Sequence, residues 1–263
     1  MTFHRPGVRL CARSGLVLVP SAGEAAYRVA LSSYGPLNPP VRGPVGSDVS
    51  SWSRYDTYDG RTVYTASTPG CAFDEVLAGF RRRLGARDSL ARDAAAVGLS
   101  VAEFLRAVDQ DWAELGVMLP GHLPRAWRTA RLLYTVTHPR SGWWVMLDTT
   151  ESIAAVRAAL GERLAAGGVT DVDLALLHGP DRPVTVQIAG WVRAAVLDDG
   201  TAPHGIVYRS RHAGGDVHAY WLRRLDAGDP AGSEPLTADT GAPITASDAD
   251  LRDTATRYGL TVH

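Results

Sequence analysis

Residues 62–77 read Thr62-Val63-Tyr64-Thr65-Ala66-Ser67-Thr68-Pro69-Gly70-Cys71-Ala72-Phe73-Asp74-Glu75-Val76-Leu77, and two periods meet inside this stretch. Thr62 to Ala66 is a β-branched and aromatic run of strand character. Thr68-Pro69-Gly70 reads as a turn. Beyond it Phe73, Val76, Leu77 and Phe80 recur at helical spacing and predict a helix over Ala72–Arg83. Strand-like and helical runs alternate elsewhere too, but without regular βαβ order. The expected class is therefore α+β, with a mixed or antiparallel sheet rather than a doubly wound one.

On the N-terminal side, residues 1–22 read as irregular and Tyr27-Arg28-Val29-Ala30 as extended. A loop rich in Gly, Pro and Ser follows from Leu31 to Asp59. Its aromatic and basic residues (Tyr34, Arg42, Trp52, Arg54, Tyr55, Tyr58) favour a binding loop over a linker. On the C-terminal side, Ser100 and Glu103 form a capping box for a helix running to about Leu115. Leu132–Thr137 and Trp143–Leu147 read as a hairpin around His138–Gly142, and Asp148 with Glu151 as a cap for a helix through Ala165. A helix is expected over Thr185–Leu197. Two strands are expected over 205–210 and 217–222, around the turn at Ala213-Gly214-Gly215. Asp226–Pro243 reads as a flap, and Ser247 as the cap of a last helix ending near Gly259.

Composition removes several chemistries. All 27 basic residues are Arg, against 28 acidic ones, for a net charge of -1. No global field draws the chain to nucleic acid or to an anionic membrane. Without Lys there is no Walker-type phosphate loop, Schiff base or kinase lysine, so an anion must be held by guanidinium or backbone groups. G-x-G-x-x-G, H-E-x-x-H and G-x-S-x-G are all absent, and the eight His are dispersed, so no metal or resident cofactor is expected. Cys11 and Cys71 share no redox or metal-ligand spacing, and the apolar run Gly15–Val19 is too short for a signal core or membrane span. A cytoplasmic setting is the expectation.

Four segments carry a family resemblance. They are Tyr27-Arg28-Val29; Ser53-Arg54-Tyr55-Asp56; Val63-Tyr64-Thr65-Ala66 running on to Ala72-Phe73-Asp74-Glu75-Val76-Leu77; and Gly205-Ile206-Val207-Tyr208-Arg209-Ser210-Arg211. In order and content they resemble the RES domain family, whose members degrade NAD on a fold like that of the ADP-ribosyltransferase toxins. Two features depart from it. The family's Gly-Gly-Arg-Trp-Asn loop is here Ser51-Trp52-Ser53-Arg54-Tyr55-Asp56, and the separation of Glu75 from Ser210 is unusually long. The resemblance implies one domain over 1–263, with a core at about 24–83 and 200–225, a helical insertion at about 84–200, and the flap and last helix over 226–263.

It also implies cleavage of the nicotinamide–ribose bond of NAD as substrate, with inorganic phosphate or water as acceptor, and a cognate antitoxin as partner. Arg28 is expected to bind the diphosphate or the attacking phosphate, and Tyr64 to stack on nicotinamide. Glu75 is expected to stabilise the ribosyl cation and Ser210 to bond the ribose or amide. Arg54, Tyr55 and Tyr208 are expected to contact the substrate. The chemistry agrees with these residue types: guanidinium suits diphosphate, an aromatic face suits a flat cation, and a carboxylate suits an oxocarbenium centre. Each residue also has an ordinary reading, as a surface ion pair, a core tyrosine, a first-turn acid or a strand hydroxyl. Arg209, Arg211 and His212 flank the site, and alternation turns Arg209 and Arg211 away from it. Arg81-Arg82-Arg83 reads as a solvated helix end, and His178 and His218 as structural. Two other functions stay open at this point: ADP-ribosyl transfer to a macromolecule, and a non-catalytic nucleotide-binding module.

Overall fold

The computed structural model describes residues 6–81, 86–107 and 121–263, apart from the side chains of 86–90. In chain order the N-terminal part contributes β1 (Arg9–Leu10), β2 (Val17–Pro20), β3 (Ala25–Leu31), β4 (Thr62–Ala66), α1 (Pro69–Leu77) and α2 (Ala86–Ala96). The middle contributes α3 (101–107), β5 (His122–Leu123), α4 (Arg125–Thr129), β6 (Arg131–Thr137), β7 (Trp143–Met146), α5 (Thr150–Ala166), α6 (Leu174–His178) and α7 (Arg182–Ala194). The rest contributes β8 (Gly205–Arg209), β9 (Asp216–Trp221), α8 (Arg223–Asp226), β10 (Thr237–Ala238), β11 (Ala242–Pro243), α9 (Ala249–Tyr258) and β12 (Thr261–Val262). The class is the expected α+β one, with a mixed sheet. Among the described strands the order is β1-β2-β7-β8-β9-β4-β3-β6-β10, with β11 also on β6, and within it β7 and β8 run parallel.

This order overturns the expected hairpin of Leu132–Thr137 with Trp143–Leu147. β6 pairs with β3, whereas β7 pairs with β2 and β8. Flat, the sheet would separate β6 from β7 by five strand spacings, about 24 Å at roughly 4.8 Å each. The link 138–142 reaches only about 20 Å when fully extended. The link 21–24 between β2 and β3 faces the same mismatch. The sheet must therefore curl until the two links meet, and they bond to each other: Ser21 N–H donates to Gly142 O (2.9 Å), Gly23 N–H to Pro139 O (3.0 Å) and His138 N–H to Glu24 O (3.0 Å).

The curl encloses one apolar cluster, including Val63, Tyr134, Trp144, Tyr220 and Leu222. A larger cluster on the other face packs α1, α5 and α7 through Phe73, Leu77, Val156, Leu164, Ile188 and Val192. Gly205 sits where β8 runs hard against β9. A Cβ there would lie 1.8 Å from the Ala219 carbonyl oxygen.

Several boundaries move for local reasons. Residues 1–22 are not irregular throughout, since β2 is an interior strand between β1 and β7. Thr68-Pro69-Gly70 is the start of α1 rather than a turn: Thr68 Oγ1 accepts from Cys71 N–H and Pro69 takes the first turn, where no donor is needed. The capping box of Ser100 and Glu103 is formed as expected; the end of that helix near Leu115, with Trp112, lies outside the described residues. Thr149, not Asp148, caps α5, because Asp148 accepts from Arg209 N–H at 2.8 Å. Asp248, not Ser247, caps α9. The stretch 226–243 is no free flap, since β10 and β11 lie on β6 and Leu236 and Glu234 are buried. Nor does 84–200 stand apart as a helical insertion, because it supplies β6 and β7 to the sheet. Arg81 is not a solvated end; its guanidinium stacks 3.6 Å from the Tyr258 ring centroid, while Arg82 and Arg83 lie outside the described residues.

Candidate functional site

The sheet opens between β3 and β4. Tyr27 with Ala66 is the single pair joining them, while β3 stays paired to β6 along its whole length. A cavity of about 440 Å³ occupies the opening, floored by both strands and walled by the loop from Pro39 to Asp56, by α1, and by Tyr208, Arg211 and His212. That volume falls within the range of roughly 300–1,000 Å³ usual for small-molecule sites.

Splitting a sheet frees backbone groups, and Arg28 uses one of them. Its Nη1 donates to the Tyr64 carbonyl at 3.0 Å. Its Nε is buried without a hydrogen-bond partner, and no carboxylate pairs with it among the described residues. Burial pushes the guanidinium down to about 10. Tyr64 stands on the cavity side of β4. Its hydroxyl donates to Asp56 Oδ1 (3.1 Å) and accepts from Tyr55 N–H (2.9 Å), which fixes the ring. Burial, then the neighbouring Asp56 carboxylate, raise its phenol well above the ordinary value, so it stays protonated.

Glu75 sits on the cavity face of α1, opposite Phe73 and Leu77 in the core. The helix is braced by α9: Arg257 Nη2 bonds both Asp74 oxygens (2.8 and 2.9 Å), and the Tyr258 hydroxyl donates to Asp74 O. Ser210, just past β8, donates to Glu75 Oε1 at 2.5 Å, and its hydroxyl oxygen accepts from His212 and Ala213 N–H. Its hydrogen-bonding capacity is therefore spent on holding Glu75 and the turn. Ser210 does not line the cavity. Tyr55 does not line it either. It is buried, donates to the Leu177 carbonyl (3.2 Å) and packs edge-on against Tyr208, backing the wall without lining it. Tyr208 and Arg54 do line the cavity, with the Arg54 guanidinium 5.4 Å from the Tyr208 ring centroid.

The cavity also gathers residues to which the sequence assigned no particular contact. Arg42 bonds Asp56 at 2.6 Å, and that carboxylate takes the Ser53 N–H as well. Arg182, the first residue of α7, reaches the wall from more than a hundred positions downstream of the loop. Arg211 lines the cavity too, against the alternation argument, because β8 ends at Arg209 and strand periodicity no longer applies. No local pattern marks Arg182; its role comes from tertiary position alone. His178 and His218 do not line the cavity.

No family model matches the chain, and no curated protein does. Among solved structures the chain is similar to one in the M. tuberculosis MbcT–MbcA toxin–antitoxin complex. The identity is 13% and the TM-score 0.38, over 92% of this chain and 91% of that one. Among the described residues no helix is long and apolar enough to cross a membrane.

Proposed function

We propose that the chain cleaves the nicotinamide–ribose bond of NAD and passes ADP-ribose to phosphate or water. One observation carries this reading: Arg28, Tyr64 and Glu75, far apart in sequence, line a common cavity, with Ser210 bonded to the Glu75 carboxylate. Arg28 supplies donors for the diphosphate and Arg54 a second anion contact, and among the described residues neither is neutralised by a carboxylate partner. The ring faces of Tyr64 and Tyr208 suit the flat nicotinamide cation.

As the C1″–N bond breaks, its electron pair moves to the nicotinamide nitrogen and positive charge develops on the ribose. Glu75, oriented by Ser210, stabilises that charge. An acceptor oxygen then closes on C1″: a phosphate oxygen gives the 1″-phosphate, and water gives ADP-ribose after losing a proton. The same resemblance would add an antitoxin that covers this cavity.

The test is nicotinamide release from NAD by wild type, Arg28→Ala and Glu75→Gln, with and without phosphate. Release by wild type alone supports the reading. Label retained on an added macromolecule would instead favour ADP-ribosyl transfer, and equal inactivity of all three proteins would leave a binding module.

A further inference from the structure

Three guanidinium groups converge at the C-terminal end of α6, where a helix leaves its last carbonyls without partners. Arg54 Nη2 and Arg211 Nη1 donate to the same oxygen, that of His178, at 3.1 and 3.0 Å. Arg182 Nη1 donates to the next carbonyl, Gly179 O, at 3.1 Å, and its Nε to Trp52 O at 2.9 Å. All three line the cavity. Backbone carbonyls hold these side chains in place but cancel none of their charge. Among the described residues no carboxylate pairs with the three arginines: Asp56 is paired with Arg42, while Glu75 takes the Ser210 hydroxyl and Asp148 the Arg209 N–H. Arg54 is only 8% exposed, and its buried Nε has no hydrogen-bond partner among the described residues. Burial, then repulsion from Arg54 and Arg211, lowers the Arg182 guanidinium.

We infer that Arg54, Arg182 and Arg211 form a subsite for a phosphate-type dianion, separate from Arg28. A doubly charged anion that presents tetrahedral phosphate oxygens, either inorganic phosphate or a whole diphosphate, matches what this cluster lacks, since each guanidinium retains donors not used by the carbonyls. The subsite does not depend on NAD being cleaved, although it deepens that reading by giving the cavity a second anion position. The dianion can come from the diphosphate of the dinucleotide or from free inorganic phosphate; the chemistry at the three arginines is the same.

The probe is inorganic phosphate, followed by calorimetric titration and thermal unfolding at constant ionic strength, with chloride as reference. Wild type is compared with Arg182→Gln, Arg211→Gln and the surface variant Arg157→Gln, whose arginine pairs with Asp171. Phosphate is expected to bind and stabilise wild type and Arg157→Gln. Each cluster variant is expected to weaken phosphate binding by about tenfold or more, the scale of one lost charge-assisted contact. If Arg182→Gln fails to fold, the solvent-facing Arg211→Gln carries the comparison. A second titration with ADP-ribose assigns the source: competition with phosphate gives the cluster to the diphosphate, and simultaneous binding gives it to free phosphate. Phosphate that acts no better than chloride on wild type, or that binds the cluster variants as tightly as wild type, overturns the inference. Nicotinamide release is scored separately, so failure to cleave NAD leaves this result intact.

Discussion

Arg28 is a charge kept at a cost, and replacing it with an apolar residue of similar length measures that cost. Burial holds the guanidinium at about 10 against an ordinary 12.5, a difference worth about 3 kcal/mol of native stability. The sign follows from linkage. A cation whose folded value lies below its unfolded value destabilises the native state wherever both states are charged, so the cost is complete below about pH 10 and constant from pH 5 to 9.

Arg28→Met removes the charge and keeps most of the stem. It also removes the bond to the Tyr64 carbonyl, a loss of about 1 kcal/mol once water in the cavity takes that place. The net expectation is a gain of about 2 kcal/mol, or a Tm rise of about 4–8 °C for a chain of this size. Denaturant and thermal unfolding of both proteins, with and without ADP-ribose, read the result. ADP-ribose should stabilise wild type more than Arg28→Met, the usual trade between stability and function. A variant less stable than wild type, or one that ADP-ribose stabilises equally, would refute the idea that this charge is held for a ligand.

Ser210→Ala should lower nicotinamide release by about 10- to 100-fold with little change in NAD affinity, since it acts by orienting Glu75 rather than by touching substrate. Glu75→Gln should cost about 10²–10³-fold in turnover, the scale for losing one charge-stabilising group, as seen in single-turnover nicotinamide release. Burial opposes ionisation of Glu24, but its bond to His138 and backbone donors outweigh this and hold it at about 2. Its contribution to stability is therefore present above about pH 4.5 and lost as the pH falls toward 2. Glu24→Gln should flatten the fall in Tm over that range. Trp144, fully buried inside the curl against His138 and His218, should cost about 3–5 kcal/mol when cut to Ala, read by urea unfolding.

The site was partly legible from the chain. Arg28, Tyr64 and Glu75 stand out in the sequence because their chemistry suits a dinucleotide and their order resembles a known pattern, and all three line the cavity. Ser210 and Tyr55 belong to the same pattern, yet each turns its hydroxyl to a protein partner. Residue type and order cannot say where a side chain points. Arg182 carries no local signal and alternation turns Arg211 the wrong way, because what makes them a cluster is the end of α6, which lies far from Arg54 in sequence.

By itself the sequence determined the local structure. Periodicity and capping residues act within a few positions, so β4, the Ser100–Glu103 box and the β8–β9 hairpin follow from it closely, and α1 follows with both ends shifted. Strand partners were decided only by the tertiary structure. β6 and β7 are neighbours in sequence and read as a hairpin, yet the sheet sets four strands between them and closes by curling. Pairing energy is shared among strands from the whole chain, and the arrangement that buries both apolar faces outweighs the short link that local reasoning favours. The opening between β3 and β4, and with it the cavity, is a product of that non-local choice.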